Sequence, residues 1–294
     1  YSFLQRMSAI DRNRLGADTR SAIEAVKEFK PYTNMAQLMP IMSYSLADEG
    51  GYKGDMIDNG GLYHLLLDAG FTVDVWTPYE IENKEGNPLE KYDALFLSDC
   101  PVLPRKVYEK LLAYIDAGGA LISSGRLPEK DLRGVSFDTK LAGRERVVSL
   151  EERVARQYWG KLQRAQVHGN TPPVLVEAPD PARTPELRNT LRQEVTNAVA
   201  QLEISRPVVF TENNGAVHVV PFHNESTSET LLFLVHKGEG RCHHVDLRLD
   251  ATLSVADAEA WCDFDSRHPC TKLENNILRT PDFAHACIIT LRKV

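Results

Sequence analysis

Reactive side chains occur at or directly after the end of an apolar run at three places in the sequence. They are Tyr44, the pair Asp99 and Cys100, and Ser123. Open α/β sheets bind ligands outside the carboxyl ends of their strands, so these four residues are the candidates for ligand contact. A carboxylate beside a thiol suits nucleophilic catalysis only where a base or a cation lowers the pKa of the thiol. No histidine stands near Cys100 in the sequence, and free cysteines are normally buried, so we predict a packed Cys100.

Ser123 occupies the strand-to-helix turn in which a GxSxG nucleophile elbow would lie. The first position of that motif is Leu121 rather than glycine, and Arg126 to Glu129 do not begin a convincing helix. Without a helix N-terminus the turn lacks the donors that stabilise an oxyanion. We therefore predict no catalytic residue in this chain.

No other motif indicates a metal or a cofactor. His243 and His244 are neighbours on a predicted strand, so their side chains point to opposite faces. The five cysteines show no CxxC spacing, and reduced thiols are the expected state. One disulfide among Cys242, Cys262 and Cys270 stays open in case the protein is exported.

The first two thirds of the chain alternate between helical and strand patterns. Leu62, Leu65, Leu66 and Ala69 form one stripe of a helix that spans 55–69. Further helices are predicted from Pro104, over 151–166 and over 187–202, and strands over 37–42, 71–76, 92–98, 120–124 and 146–150. Tight loops between them favour parallel pairing, hence a flavodoxin-like, doubly wound parallel sheet.

After Pro207 the hydrophobic period changes from 3.6 to 2. Short apolar runs over 208–210, 216–222, 230–235, 244–249, 259–264 and 286–291 are separated by turn residues. This spacing predicts a small all-β sandwich of the immunoglobulin-like kind. The expected domains are a helical lead-in over 1–35, an α/β domain over 36–204 and the β-sandwich over 205–294.

Composition and charge exclude two classes of partner. The net charge is −7, and Lys and Arg are scattered among Asp and Glu, so we expect no nucleic acid partner. No apolar run is long enough for a membrane span. We expect a soluble protein, with the cytoplasm favoured over export. The start at Tyr1-Ser2-Phe3 has no initiator Met, which suggests a shortened chain, a proteolytic product or one part of a longer polypeptide.

The order of three phrases resembles a known domain type. Residues 61–75, 91–97 and 112–122 look like the glutamine-amidotransferase-like domain that follows the TIM barrel in several glycoside hydrolases. In family forty-two β-galactosidases it is called the trimerisation domain. A small β-sandwich comes next in that layout, and residues 283–291 are similar to its last strand. Class I amidotransferases carry a cysteine in the elbow, where this sequence has Ser123, while Cys100 lies one strand earlier.

This resemblance implies a non-catalytic accessory or oligomerisation role in a β-galactosidase-like glycoside hydrolase. The catalytic carboxylates would lie on the protein's own TIM barrel, outside this chain, and the expected partners are that barrel, further copies of the chain and an oligosaccharide. Two alternatives stay open. One is a stand-alone amidotransferase-like enzyme that uses Cys100, and the other is a carbohydrate-binding module that uses Trp261.

Overall fold

A computed structural model describes most of the chain from Gly51 onward and two short strands before it. The predicted lead-in helix at 2–29 and the candidate Tyr44 lie outside the described residues. The described ranges are 33–34, 38–41, 51–150, 154–159, 162–165, 174–177, 184–204, 206–212, 216–236, 240–251, 253, 255–263 and 266–292.

The described residues form five α-helices, one short 3₁₀ helix at Pro88–Lys91 and sixteen strands. The helices are α1 Gly51–Asp68, α2 Pro78–Asn83, α3 Arg105–Asp116, α4 Val154–Trp159 and α5 Pro185–Gln201. The strands are β1 Thr33–Asn34, β2 Leu38–Ile41, β3 Ala94–Leu97, β4 Ala120–Ser123, β5 Val147–Ser149, β6 Leu162–Ala165, β7 Val174–Glu177, β8 Val208–Phe210, β9 Val217–Asn224, β10 Glu229–His236, β11 Asp246–Leu249, β12 Asp257–Cys262, β13 Ser266–Pro269, β14 Thr271–Leu273, β15 Ile277–Arg279 and β16 Ala286–Arg292.

Backbone contacts divide the described residues into two compact units. The first lies within Ala36–Arg206, and the second includes Pro207–Glu212 and Ala216–Val294. The short strand β1 belongs to the second unit, where it pairs with β9.

The first unit contains a parallel sheet with the order β2, β3, β4, β5. All residues of its two central strands, β3 and β4, are buried. Successive side chains of a strand point to opposite faces, so both faces of the sheet are covered. Ala94 and Phe96 pack with Leu62, Leu65 and other residues of α1, α4 and α5. The intervening Leu95 and Leu97 pack with residues of α3 and of the loop after β4. The sheet therefore has an apolar core on each side.

Buried polar contacts tie the helices of one layer together. The Tyr158 hydroxyl of α4 donates to the Asp68 carboxylate at the end of α1, at 2.5 Å. Arg192 of α5 in turn reaches the same hydroxyl at 3.4 Å. Beyond α1, the guanidinium of Arg206 donates to the carbonyls of Ala69 and Gly70, both at 2.9 Å. A cation there complements the carboxyl end of the helix dipole.

The second unit is built from antiparallel strands. One sheet has the order β1, β9, β10, β16, β12, β13, and the other has the order β14, β15, β11, β8. Alternate residues such as Leu232, Leu234, Ala260 and Ile289 are fully buried in its main core. The period-2 pattern of the sequence therefore identifies the core face of these strands correctly.

Two predicted elements are wrong or incomplete, and three strands were not predicted. Residues 71–76 form no continuous strand, and only Val73 and Trp76 make single bridges. The helix predicted over 151–166 ends at Trp159, and its last part is the strand β6, which pairs with β7. In the second unit, β13, β14 and β15 were not predicted, because each has only three or four residues, and β13 and β14 are mostly polar. No helix of the described part is long and apolar enough to cross a bilayer.

Candidate functional site

The carboxyl edge of the parallel sheet is where the sequence places its reactive side chains. Asp99 follows β3, and Arg126 follows β4, so the two residues meet above neighbouring strand ends. The Asp99 carboxylate accepts hydrogen bonds from the Arg126 amide and Nε at 2.9 Å and from Nη2 at 2.8 Å. The Asp99 side chain is only 9% exposed, whereas that of Arg126 is 47% exposed. This is a bidentate ion pair with an additional backbone donor, a strong arrangement.

Gly125 allows the two strand ends to approach so closely. Its φ is +144°, and a Cβ there would lie 3.0 Å from both the Cα and the Cβ of Asp99. The adjacent backbones are also joined, because the Ser124 amide donates to the Leu97 carbonyl and the Cys100 amide to the Arg126 carbonyl. The turn after β4 therefore packs closely against the backbone of Asp99.

Both serines of this turn are used in local hydrogen bonds. The Ser123 hydroxyl donates to the Gly125 carbonyl at 3.0 Å. The Ser124 hydroxyl accepts from the Ala155 amide at 2.9 Å, and so it caps the first turn of α4. The chain after Gly125 continues as a loop rather than a helix. The geometry of a nucleophile elbow is thus not formed at Ser123.

Cys100 lies in the core beneath this edge. Its side chain is fully buried within the cluster that includes Leu97, Leu103 and Leu121. The Cys100 thiol donates to the Val102 carbonyl at 3.4 Å. A reactive cysteine needs an accessible and electropositive setting, and this one is packed in apolar surroundings.

The loop between β4 and β5 is held in place by a second carboxylate. Asp131 accepts hydrogen bonds from the amides of Arg133 and Val135 and from the Arg105 side chain. Desolvation opposes the charge of Asp131, but these hydrogen bonds outweigh it and lower its pKa. The backbone of Lys130 also bridges to Val102. The loop therefore covers the carboxyl edge as an ordered structure.

Three of the four predicted contact residues thus lie on one edge of the sheet. Asp99, Cys100 and Ser123 are neighbours there, and Tyr44 is outside the described residues. The residue that sequence reasoning missed is Arg126, the partner of Asp99. A signal existed, because carboxyl ends of adjacent parallel strands meet, and Arg126 follows β4 as Asp99 follows β3.

A cavity of about 540 Å³ lies at the opposite, amino-terminal end of the strands. Charged side chains line it, namely Glu90, Asp93, Arg146 and Glu203. The Tyr114 hydroxyl in its wall donates to the Tyr92 carbonyl and accepts from the Ala120 amide. Burial raises the pKa of Tyr114 to about 12. This hydroxyl therefore has a structural role, because it is hydrogen-bonded to the backbone of two different segments.

An open groove of about 980 Å³ runs beside the edge strand β5. Its floor includes Val148 and Leu191, and amide side chains of α4 and α5 form much of its wall, namely Gln157, Asn189, Gln193, Asn197 and Gln201. Within the described ranges, no group of three or more His, Cys, Asp or Glu side chains is placed to hold a metal ion.

Comparison with known proteins gives similarity at the level of the fold. No protein-family model and no curated protein sequence matches the chain. Among solved structures, an α-L-fucosidase isoenzyme 2 from Paenibacillus thiaminolyticus aligns over 93% of this chain, with 14% identity and a TM-score of 0.54. The cold-adapted β-galactosidase from Rahnella sp. R3 aligns over 96%, with 13% identity and a TM-score of 0.55. The β-galactosidase from Bacillus circulans sp. alkalophilus aligns over 95%, with 10% identity and a TM-score of 0.53.

These alignments use only part of each solved structure. The chain spans 51% of the fucosidase and 44% of each of the two β-galactosidases. It therefore shares the fold of a portion of these glycoside hydrolases.

Proposed function

We propose that this chain is a non-catalytic accessory portion of a carbohydrate-active glycoside hydrolase. The catalytic barrel of such a protein would lie outside residues 1–294. The chain would then shape a sugar cleft or an oligomer interface. Residues 36–204 would form the flavodoxin-like, amidotransferase-like domain of the trimerisation type, residues 205–294 an immunoglobulin-like sandwich, and residues 1–35 a helical lead-in.

The observation that carries this proposal is the state of the carboxyl edge. In an α/β enzyme this edge presents free donors, acceptors or nucleophiles to a substrate. In this chain the Asp99 carboxylate is bound by Arg126, the Ser123 hydroxyl is bound by a backbone carbonyl, and Cys100 is buried. These contacts favour a role in folding. Ligand contact by Tyr44, Asp99, Cys100 and Ser123 remains a prediction.

The extent of the structural alignments supports the accessory role independently. Nearly the whole chain aligns, yet about half of each solved glycoside hydrolase has no counterpart in it. An accessory portion of a longer glycoside hydrolase is expected to align in this way, with nearly all of its own length and only part of the whole protein. The low identities restrict this support to the fold, so the proposal names no substrate sugar.

Hydrolysis of aryl glycosides by the purified chain tests the proposal. We expect no release of nitrophenol from a panel of 4-nitrophenyl glycosides above the rate in buffer, because Asp99 and Asp131 at the carboxyl edge are each held by an arginine side chain and by backbone amides. The matched control is Asp99→Asn, which removes the carboxylate and keeps the size of the side chain. Turnover by the wild-type chain that this variant loses would contradict the proposal.

Alkylation of Cys100 tests the alternative of a stand-alone cysteine enzyme. The thiol is fully buried and bonded to a carbonyl, so we expect iodoacetamide at neutral pH to leave it unmodified in the folded chain and to modify it in urea. Peptide mass spectrometry gives the readout, with the partly exposed Cys242 as the internal reference. Rapid modification of native Cys100 would favour the enzyme instead.

The binding-module alternative depends on Trp261. This side chain packs beside Leu231 and Ile288 on the outer face of the six-stranded sheet, and the Arg267 guanidinium lies 5.3 Å from the centre of its ring. The ring is thus half-buried and stacked by a cation rather than presented as a flat platform. Nothing in this arrangement favours a sugar-binding role over packing.

A further inference from the structure

Two cysteines face each other across neighbouring strands in the core of the second unit. Cys262 ends β12, Cys287 lies near the start of β16, and the two residues are direct partners in the register. Their Sγ atoms are 3.5 Å apart. Cys287 is fully buried, and Cys262 is 5% exposed at the strand end. The pair belongs to the second unit, whereas the carboxyl edge of the parallel sheet belongs to the first.

The hydrogen-bond pattern shows which type of cross-strand pair this is. The neighbouring Asp263 amide donates to the Ala286 carbonyl at 2.7 Å, which is one of the two bonds of a hydrogen-bonded pair, and the Ala286 amide donates instead to the Asp263 carboxylate at 3.2 Å. Pair types alternate along an antiparallel ladder, which makes Cys262 and Cys287 a non-hydrogen-bonded pair. In such pairs the Cα atoms are about 4.5 Å apart, within the range of about 4.4 to 6.8 Å that a disulfide spans.

We propose that Cys262 and Cys287 are a site of oxidative modification, at which a hydroperoxide converts the two thiols into a cross-strand disulfide. The inference does not depend on the proposed function. Closing the bond requires the sulfur atoms to move from 3.5 Å to about 2.05 Å, which small side-chain rotations achieve on paired strands. The disulfide would join the edge hairpin of β12 and β13 to the interior strand β16.

The chemical roles of the two thiols differ. Cys262 is the nucleophile, since the hydrogen bond from Cys287 lowers the pKa of Cys262, and the same contact together with burial raises the pKa of Cys287. The nearby Cys270 has a pKa raised to about 12, mainly by burial, and the pKa of Cys242 is raised as well. Cys262 is also the member of the pair with residual exposure, so it is the thiol that a small hydroperoxide meets first.

The reaction balances with one hydrogen peroxide for each disulfide. The Cys262 thiolate attacks one peroxide oxygen, the O–O bond breaks, and hydroxide leaves as a sulfenic acid forms. The Cys287 sulfur then attacks the Cys262 sulfur, the S–S bond forms, the S–O bond breaks, and water leaves with the thiol proton. Two thiols and one peroxide thus yield a disulfide and two waters, with two electrons passed to the peroxide.

Peptide mapping of the oxidised chain tests the proposal sharply, because trypsin places the four cysteines of this region in separate peptides. Cleavage after Arg and Lys puts Cys242 in 242–248, Cys262 in 249–267, Cys270 in 268–272 and Cys287 in 280–292. The folded, fully reduced chain is treated with hydrogen peroxide, denatured, alkylated with iodoacetamide and digested. We expect peptides 249–267 and 280–292 to appear linked, with two hydrogens less than their summed mass.

Matched cysteine variants complete the experiment. Cys270→Ser should give the same linked peptide, whereas Cys262→Ser should give none and leave Cys287 alkylated. The oxidised wild-type chain should also unfold at a higher temperature than the reduced chain. No linked peptide, a link through Cys270, or a lower unfolding temperature after linkage would overturn the proposal. The wild-type and Cys270→Ser maps decide the question even if Cys262→Ser does not fold.

Discussion

At the scale of single residues, the contacts of Asp99 indicate whether the carboxyl edge serves the fold or a ligand. Removing a carboxylate from water costs several kcal/mol, and only well-placed donors offset that cost. Arg126 supplies three such donors at 2.8 to 2.9 Å. A carboxylate held in this way is not free to act as a base or a nucleophile. The Arg126 guanidinium remains half-exposed, so the ion pair lies at the boundary between core and solvent.

The pair of Asp99 and Arg126 also shows the limit of sequence reasoning. The sequence predicted that Asp99 lies at a strand end, because the preceding apolar run is unmistakable. It did not predict the partner, since 27 residues separate Asp99 from Arg126 and the order of strands was not known. Ion pairs between distant residues depend on that order.

Substitution of Gly125 tests the close approach of the two strand ends. An alanine at this position would have to adopt a φ of +144° and place its Cβ 3.0 Å from Asp99. We expect Gly125→Ala to lower the free energy of unfolding by about 3 kcal/mol, because backbone strain and a clash act together. Urea unfolding followed by circular dichroism measures this loss.

Gly143→Ala is the matched control for this measurement. Gly143 has a φ of +80°, but a Cβ there would meet nothing within 4 Å. We expect this substitution to cost only about 1 kcal/mol, from the backbone conformation alone. Equal losses in the two variants would show that the contact with Asp99 is unimportant.

At the scale of elements, the connection from α3 to β4 relies on a buried tyrosine. Gly118 and Gly119 end the helix, and a Cβ at Gly119 would overlap the Tyr114 ring at 2.2 Å. The ring therefore lies against the backbone, and its hydroxyl joins Tyr92, shortly before β3, to the first residue of β4. The sequence predicted a helix that begins at Pro104. It did not predict this hydrogen-bonded link, because the pattern of apolar residues carries no information about hydroxyl groups.

Tyr114→Phe tests the link at neutral pH and at alkaline pH. We expect a loss of about 1–2 kcal/mol at pH 7, because the Ala120 amide and the Tyr92 carbonyl lose their partner. The folded pKa of Tyr114 is raised to about 12, above its unfolded value of about 10. The folded state thus favours the neutral hydroxyl, and that stabilisation is complete below pH 10 and is lost as the pH rises through 12.

The stability difference between the wild-type chain and Tyr114→Phe should therefore shrink from pH 10 to pH 12. Urea midpoints at a series of pH values measure it, and Tyr79→Phe serves as the control because Tyr79 is 69% exposed. A difference that stays constant over this interval would contradict the assigned role of the hydroxyl.

At the scale of the whole molecule, long periodic elements were predicted and short or polar ones were not. The runs at 94–97 and 120–123 are fully buried strands, as expected for the middle of a parallel sheet. The segment 71–76 has a comparable apolar pattern, yet it makes only single bridges, because its pairing depends on tertiary position. Strands such as β13, with the sequence Ser-Arg-His-Pro, have no apolar alternation to reveal them.

The sequence predicted where the candidate site lies, but not whether its side chains are engaged in hydrogen bonds. Topology rules located the edge, and they placed Asp99, Cys100 and Ser123 on it. Whether such residues are free or engaged depends on hydrogen bonds that only three-dimensional structure supplies. The proposal of an accessory role follows from their engaged state, together with alignments that include only about half of each solved hydrolase.

A double-mutant cycle on Asp99 and Arg126 tests this central claim most directly. The free energy of unfolding in urea is measured for the wild-type chain, Asp99→Asn, Arg126→Met and the double variant. If the carboxylate serves the fold, the sum of the two single losses will exceed the loss in the double variant, with a coupling energy of about 1–3 kcal/mol. A coupling energy near zero, with Asp99→Asn as stable as the wild-type chain, would contradict the account and would favour ligand contact as the role of Asp99.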